Sequence, residues 1–176
     1  MRARTSKAML KEIYLAGGCF WGTQHYMRQI RGVCATEVGY ANGEGEQPTY
    51  EEVYTDRTGF AETVKVIYDA EQVTLACLLG LYFRSIDAEL LNRQGEDVGT
   101  RYRTGIYYTD EADLPIIREA YRLEEARHER PLVVEVEPLA AFYAAEEYHQ
   151  DYLEKHPTGY CHISPELIRM AREANR

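Results

Sequence analysis

The chain has no apolar run near the roughly 20 residues that a membrane-spanning helix requires, and its opening, MRARTSKAMLKEIYL, lacks the apolar core of a secretory leader. A cytoplasmic protein with no membrane partner is expected. Basic residues are in short supply: 20 Lys and Arg against 29 Asp and Glu leave a net charge of −9. Phosphate backbones are held by a basic footprint, so no nucleic-acid partner is expected either. Cysteine is sparse and scattered. Cys19, Cys34, Cys77 and Cys161 include no C-x-x-C pair, so a disulfide framework is not expected. In a reducing compartment such residues are buried hydrophobes, ligands or catalysts. Tryptophan occurs once and phenylalanine 4 times, whereas tyrosine occurs 15 times. Each tyrosine joins an apolar ring to one hydroxyl, which suits a pocket that needs both.

A length of 176 residues fits one domain large enough to bury a core without staples. Residues 1–10 read as a flexible N-terminus, 11–163 as a single catalytic domain and 164–176 as a C-terminal tail. KEIYL alternates and runs into a Gly pair, a strand ending in a tight turn; a helical pattern follows from Trp21 and stops at Gly32. VCATEVGYANG reads as a strand closing at Asn42-Gly43, ANGEGEQ as a loop and AETVKVIYD as a strand apolar on both faces. VTLACLLGLYFRSI is a buried helix, and Thr104 to Tyr108 is a strand. Asp110 is a plausible N-cap for an amphipathic helix to about His128. PLVVEVEPL is a further strand, and AAFYAAEEYHQDYLEKH is helix-like or a succession of turns. The order βαββαβαβ implies an α/β or α+β two-layer sandwich whose mostly antiparallel sheet is covered by helices.

The lone tryptophan stands in GCFWG, residues 18–22, where a strand hands over to a helix. Cys19 falls in the first helical turn, whose unpaired N–H groups favour a thiolate and are expected to lower its pKa. Glycines leave room for close approach, and Phe20 with Trp21 would make an apolar wall beside the sulfur. A buried, inert cysteine remains the alternative from position alone.

GCFWG, TEVGYANG, PTYEEV, TGFAETVKVIYD, NRQGEDVGTRYRTGIYY and FYAAEEYHQDYLEKHPTGYC, in this order, resemble the A-type peptide methionine sulfoxide reductases over residues 11–163. The resemblance implies a ferredoxin-like fold with a long irregular C-terminal segment, and thiol-dependent reduction of methionine-S-sulfoxide, free or protein-bound. It makes Cys19 the nucleophile, Phe20 and Trp21 the pocket for the S-methyl group, Glu62 the acid, Tyr50 and Tyr102 the oxygen-binding tyrosines and Asp97 an acidic residue of the site. Where the family often has a histidine, this chain has Phe60. The resemblance also makes Cys161 the resolving cysteine, with thioredoxin, or dithiothreitol in vitro, as reductant and no cofactor or metal. The family often carries a further cysteine beyond this point, and HISPELIRMAREANR has none. A monomer suffices for this activity.

These residue types suit the chemistry. A sulfoxide oxygen must be protonated before it leaves sulfur, so the thiolate wants an acid nearby, and a desolvated carboxyl stays protonated at neutral pH. Tyrosine hydroxyls stabilise charge growing on oxygen. Oxygen transfer leaves a cysteine sulfenic acid, which condenses with a second thiol. Cys77 reads as core and Cys34 as a packed strand residue, whereas Cys161 lies where Gly and Pro permit movement. Two other readings compete: a cysteine hydrolase with His25 or His149 on Cys19, and a non-enzymatic aromatic pocket. A metal site from His149, His156, Cys161 and His162 fits no familiar zinc spacing.

Overall fold

β-branched and aromatic residues concentrate in the alternating stretches, and these become strands. In the computed structural model, which describes residues 9–175, β1 is Leu10–Gly17, β2 Val33–Ala41 and β3 Ala61–Asp69. A short hairpin, β4 Arg93–Gln94 and β5 Asp97–Val98, precedes β6 Thr104–Tyr108, β7 Glu135–Pro138 and β8 Phe142–Ala144. The helices are α1 Phe20–Arg28, α2 Tyr50–Tyr54, α3 Leu75–Arg84, α4 Leu114–Glu125, α5 Tyr152–Lys155 and α6 Pro165–Glu173. The main sheet runs β7-β6-β1-β3-β2-β8, antiparallel throughout except for the parallel pair β6–β7. This is the mixed α/β architecture with a mostly antiparallel sheet that the pattern predicts.

The sheet is covered on both faces, which explains strands that are apolar on both sides. Ile13, Leu15, Val64, Val66 and Ile106 join Tyr26, Met27, Leu78 and Leu79 of α1 and α3 in the main core. Tyr14, Ala16, Ala41, Ala61 and Tyr107 form a second cluster, covered by Leu139 and Phe142. Tyr82 of α3 ties helix to sheet. Its buried hydroxyl donates to the Ala16 carbonyl at 2.6 Å and accepts from the Gly105 N–H at 3.1 Å.

Three stretches depart from their sequence reading. Residues 140–156, read as helix-like or turns, enter strand β8, pass through a 3-10 turn at Glu147–His149 and end in the short α5. The cause is Asn42, whose Oδ1 accepts the N–H groups of Ala140 at 2.7 Å and Ala141 at 3.3 Å and draws the chain onto the β2 edge. The segment 164–176, read as a tail, contains α6, which packs on the molecule through buried Ile168 and Ala171. Ser164 caps it, accepting the Leu167 N–H at 3.2 Å, and Pro165 starts it. Asp110 caps the 3-10 turn Glu111–Asp113 rather than α4 itself. The N-terminal reading lies outside the described residues over 1–8, and Leu10 already belongs to β1.

His128, just beyond α4, sits between two carboxylates: Nδ1 is 2.7 Å from Glu89 Oε2 and Nε2 is 2.8 Å from Glu124 Oε1. Both ring nitrogens can donate only as the cation, so Glu89 and then Glu124 raise its pKa above the usual imidazole value. A raised folded-state pKa gives stability that is complete below the unfolded value of about 6.5 and is lost as pH rises through the folded value. In urea titrations the stability difference between wild type and His128→Gln should therefore be largest near pH 6 and shrink at alkaline pH. A difference independent of pH would show that the clamp is not ionic.

Candidate active site

The site forms where β1 ends and β3 begins. Antiparallel register pairs Leu15 with Val64 and Tyr40 with Glu62, so Glu62 lies beside the last residues of β1. Gly18 then turns the chain at φ +87°, a conformation that favours glycine; an added Cβ would also meet Gln94 Cβ at 2.7 Å. Cys19 follows as the N-cap of α1. The Phe20 N–H, one of the helix's unpaired donors, gives a hydrogen bond to Glu62 Oε1 at 3.1 Å.

Cys19, Phe20, Trp21, Tyr50, Glu62, Asp97 and Tyr102 line one cavity of about 90 Å³ together with Tyr160. Of the residues the resemblance assigns to the site, Cys161 alone is not in its wall. The volume fits a small functional group rather than a cofactor. A cleft of about 550 Å³ between α3 and α4 contains none of these residues, and Cys161 lines a separate one of about 390 Å³ with His25 and Leu153.

Glu62 is 2% exposed. Burial raises its pKa to about 8 against the opposing pull of the Phe20 N–H and Arg101, and Asp97 adds to the rise. It is therefore mostly protonated at pH 7. Cys19 behaves otherwise than its helix position predicts. Burial pushes the thiol well up and Glu62 pushes it further, while the Trp21 and Gly22 N–H groups pull the other way without prevailing. The helix terminus is outweighed because the sulfur is desolvated and faces an acid. The resting pair is thus neutral, a thiol beside a carboxylic acid.

Phenolic donors surround the acid. Burial raises Tyr50 to about 12, with Glu62 contributing, and raises Tyr102 in the same way. Both hydroxyls keep their protons at neutral pH. Arg101, 8% exposed, positions this side of the cavity: its guanidinium lies 4.4 Å over the Tyr102 ring and 4.3 Å over Tyr54, and Asp56 holds it at 2.5 Å. Burial raises the Tyr160 pKa to about 12, and Asp97 nearby adds to the rise.

The aromatic wall is held from the C-terminal segment. Trp21 Nε1 donates to His149 Nδ1 at 3.0 Å, and its ring stacks on Tyr152 at 3.7 Å. Phe20 packs at 5.2 Å from the same imidazole. Gln150 holds the segment down, its side chain accepting from the Val38 N–H and donating to the Val38 carbonyl, both at 2.9 Å. Sequence reasoning missed Arg101, Tyr152 and Tyr160, and it missed that His149 partners Trp21. TRYR and PTGYC were noted for one residue each, and the neighbouring Arg101 and Tyr160 were the available signal.

All four cysteines are free thiols. Cys34 lies six residues along β2 from Tyr40, about 20 Å away at the rise of a strand. Cys77 sits in the first turn of α3 with its N–H on Thr74 Oγ1. Cys161 is nearer: its Sγ lies 3.4 Å from where a Gly22 Cβ would be, on the first turn of α1. The histidines are dispersed. His25 pairs with Glu154 at 2.8 Å, His149 with Trp21, and His162 with the Gly17 carbonyl at 2.8 Å. Neither His25 nor His149 serves Cys19 as a base, which removes the feature on which a hydrolase rests. Among the described residues no group of three His, Cys, Asp or Glu could hold a metal ion.

The sequence model of the family described as peptide methionine sulfoxide reductase matches residues 11–176. The peptide methionine sulfoxide reductase MsrA of Clostridium acetobutylicum is 53% identical over 160 residues, 91% of this chain and 99% of that protein. The crystal structure of Mxr1 from Saccharomyces cerevisiae in reduced form superimposes with a TM-score of 0.83 at 38% identity, covering 90% of this chain and 93% of the other. Mxr1 in complex with Trx2 matches with a TM-score of 0.55 at 26% identity, over 85% and 91% of the two chains. An identity of 53% across nearly the whole length leaves no room for another assignment: the chain belongs to the A-type peptide methionine sulfoxide reductases, oxidoreductases that act on methionine sulfoxide.

Proposed function

We propose that this chain reduces methionine-S-sulfoxide, in proteins or free, with Cys19 as the attacking sulfur. The observation that carries the reading is the neutral pair of Cys19 and Glu62 at the wall of one small cavity. Phe20 and Trp21 take the S-methyl group, and Tyr50 and Tyr102 donate to the sulfoxide oxygen. Glu62 supplies a proton to that oxygen and takes up the proton that the Cys19 thiol loses, so no charge is left unpaired in the buried site. The electron pair goes to the substrate sulfur and the oxygen to Cys19, giving methionine and a cysteine sulfenic acid. Asp97, beside Tyr160, rims the pocket and orients the bound residue.

Cys161 then condenses with the oxidised Cys19, and thioredoxin, or dithiothreitol in vitro, reduces the disulfide. The Mxr1 complex with Trx2 supports that partner. No prosthetic group is needed, since the reducing equivalents are thiols. A monomer is sufficient, and free cysteines suit a reducing cytoplasm. The central strands, in the order β6-β1-β3-β2 with α1 and α3 crossing between them, are read as a ferredoxin-like sandwich extended by β7 and β8.

Incubated with a racemic methionine sulfoxide peptide and dithiothreitol, the protein should consume only the S epimer, followed by chiral separation and mass. Cys19→Ser should abolish the loss; reduction of both epimers, or of neither, contradicts the reading. The acid makes a second demand. Because Glu62 must be protonated, single-turnover methionine formation should fall as pH rises through about 8. Glu62→Gln should be slower by about 100-fold or more, a typical general-acid effect, and should lose that alkaline decline. A variant that keeps the decline would clear Glu62 of the role.

A further inference from the structure

Cys161 attacks only as a thiolate. Burial pushes its thiol pKa up, and its Sγ is engaged with the Ile163 carbonyl at 3.4 Å. The next residue, His162, presents an imidazole to the same helix turn. Its Nε2 lies 2.8 Å from the Gly17 carbonyl oxygen. A carbonyl only accepts, so Nε2 carries the hydrogen and Nδ1 of the neutral ring is a lone pair. That Nδ1 is buried and has no hydrogen-bond partner.

Gly22 brings the reacting groups together. A Cβ on Gly22 would lie 2.7 Å from His162 Nδ1 and 3.4 Å from Cys161 Sγ, so both atoms crowd the bare side of the first turn of α1. Cys19 stands three residues before Gly22 at the same helix start, the spacing that puts side chains on one face. Imidazole and thiol therefore both lie against the helix turn that Cys19 opens.

We propose that His162 Nδ1 accepts the proton of the Cys161 thiol as Cys161 attacks the oxidised Cys19. The Cys161 sulfur forms the S–S bond and the S–O bond of the sulfenic acid breaks. The hydroxide leaves as water with the proton that His162 has taken, so the ring ends neutral. Cys161 gives up the electrons that the Cys19 sulfur gains, and no outside oxidant is needed. Asp97 on β5 is the charged group that bears on the ring and favours its transient cation, opposing the effect of burial. The other groups around it are Gln94 of β4, Gly18, and Tyr160 and Cys161 of its own segment.

This inference rests on Cys161 being the resolving thiol, and the test separates the two. Reduced enzyme is mixed with sulfoxide peptide without reductant and quenched at intervals, and methionine, sulfenic acid and remaining thiols are counted. His162→Gln retains an amide that can reach the Gly17 carbonyl but lacks the basic nitrogen. Its loss should fall on disulfide formation, slowed by about 100-fold, within the range of general-base catalysis, with sulfenic acid accumulating after methionine is released. The wild-type disulfide step should level off above the imidazole range, whereas the variant should keep climbing toward the thiol range. A variant with the wild-type rate, or one slowed equally at every pH with the profile retained, overturns the proposal. Nitrogen-15 NMR of the wild-type protein offers a check independent of any variant: reduced enzyme should show Nε2 protonated and Nδ1 bare, and the opposite tautomer also overturns it. In Cys161→Ser, methionine should form once with no disulfide. A disulfide that still formed there would instead remove Cys161 from its role.

Discussion

The hydrogen bond from the Phe20 N–H to Glu62 Oε1 is the contact on which the site depends. It joins the first turn of α1 to the start of β3 and gives a partner to a carboxyl group that is only 2% exposed. Leaving a buried acceptor unpaired costs roughly 1–3 kcal/mol. The helix start supplies a donor that would otherwise be unsatisfied, so one bond serves both elements. Only one oxygen of the carboxyl accepts it, which leaves the other free to carry a proton toward the cavity.

Burial sets the chemistry more strongly than the helix terminus does. A helix N-terminus is often read as an activator of thiols, yet here the acid beside Cys19 and the loss of water raise the thiol instead. A neutral thiol and a neutral acid suit a substrate that is itself uncharged and becomes basic only as its S–O bond weakens. The sheet makes the arrangement rigid. Tyr82 pins β1 and β6 from below, while the segment from β8 to α5 closes the aromatic wall from above.

Local pattern made much of this legible. Alternation located β1, β2, β3 and β6, and AETVKVIYD coincides with β3 from end to end. GCFWG was readable as a turn into a helix because glycine, a cap position and a following apolar face all agree there. Contacts distant in sequence were not legible. His149 meets Trp21 across 128 positions, and Asn42 turns a helix-like stretch into a strand across 98. No periodicity encodes either pairing. The helix α6 was available in Ser164-Pro165 and the spacing of Ile168 and Ala171, signals that a short terminal segment makes easy to pass over. The direction of the Cys19 shift needed burial, which sequence does not supply.

Difference infrared spectroscopy on substrate-free wild type and Glu62→Gln, recorded along a pH titration, tests the neutral acid directly. A protonated-carboxyl band present only in the wild type at pH 7, and vanishing with a midpoint near 8, is the predicted result. A Glu62 carboxylate already ionised at pH 7 would contradict it.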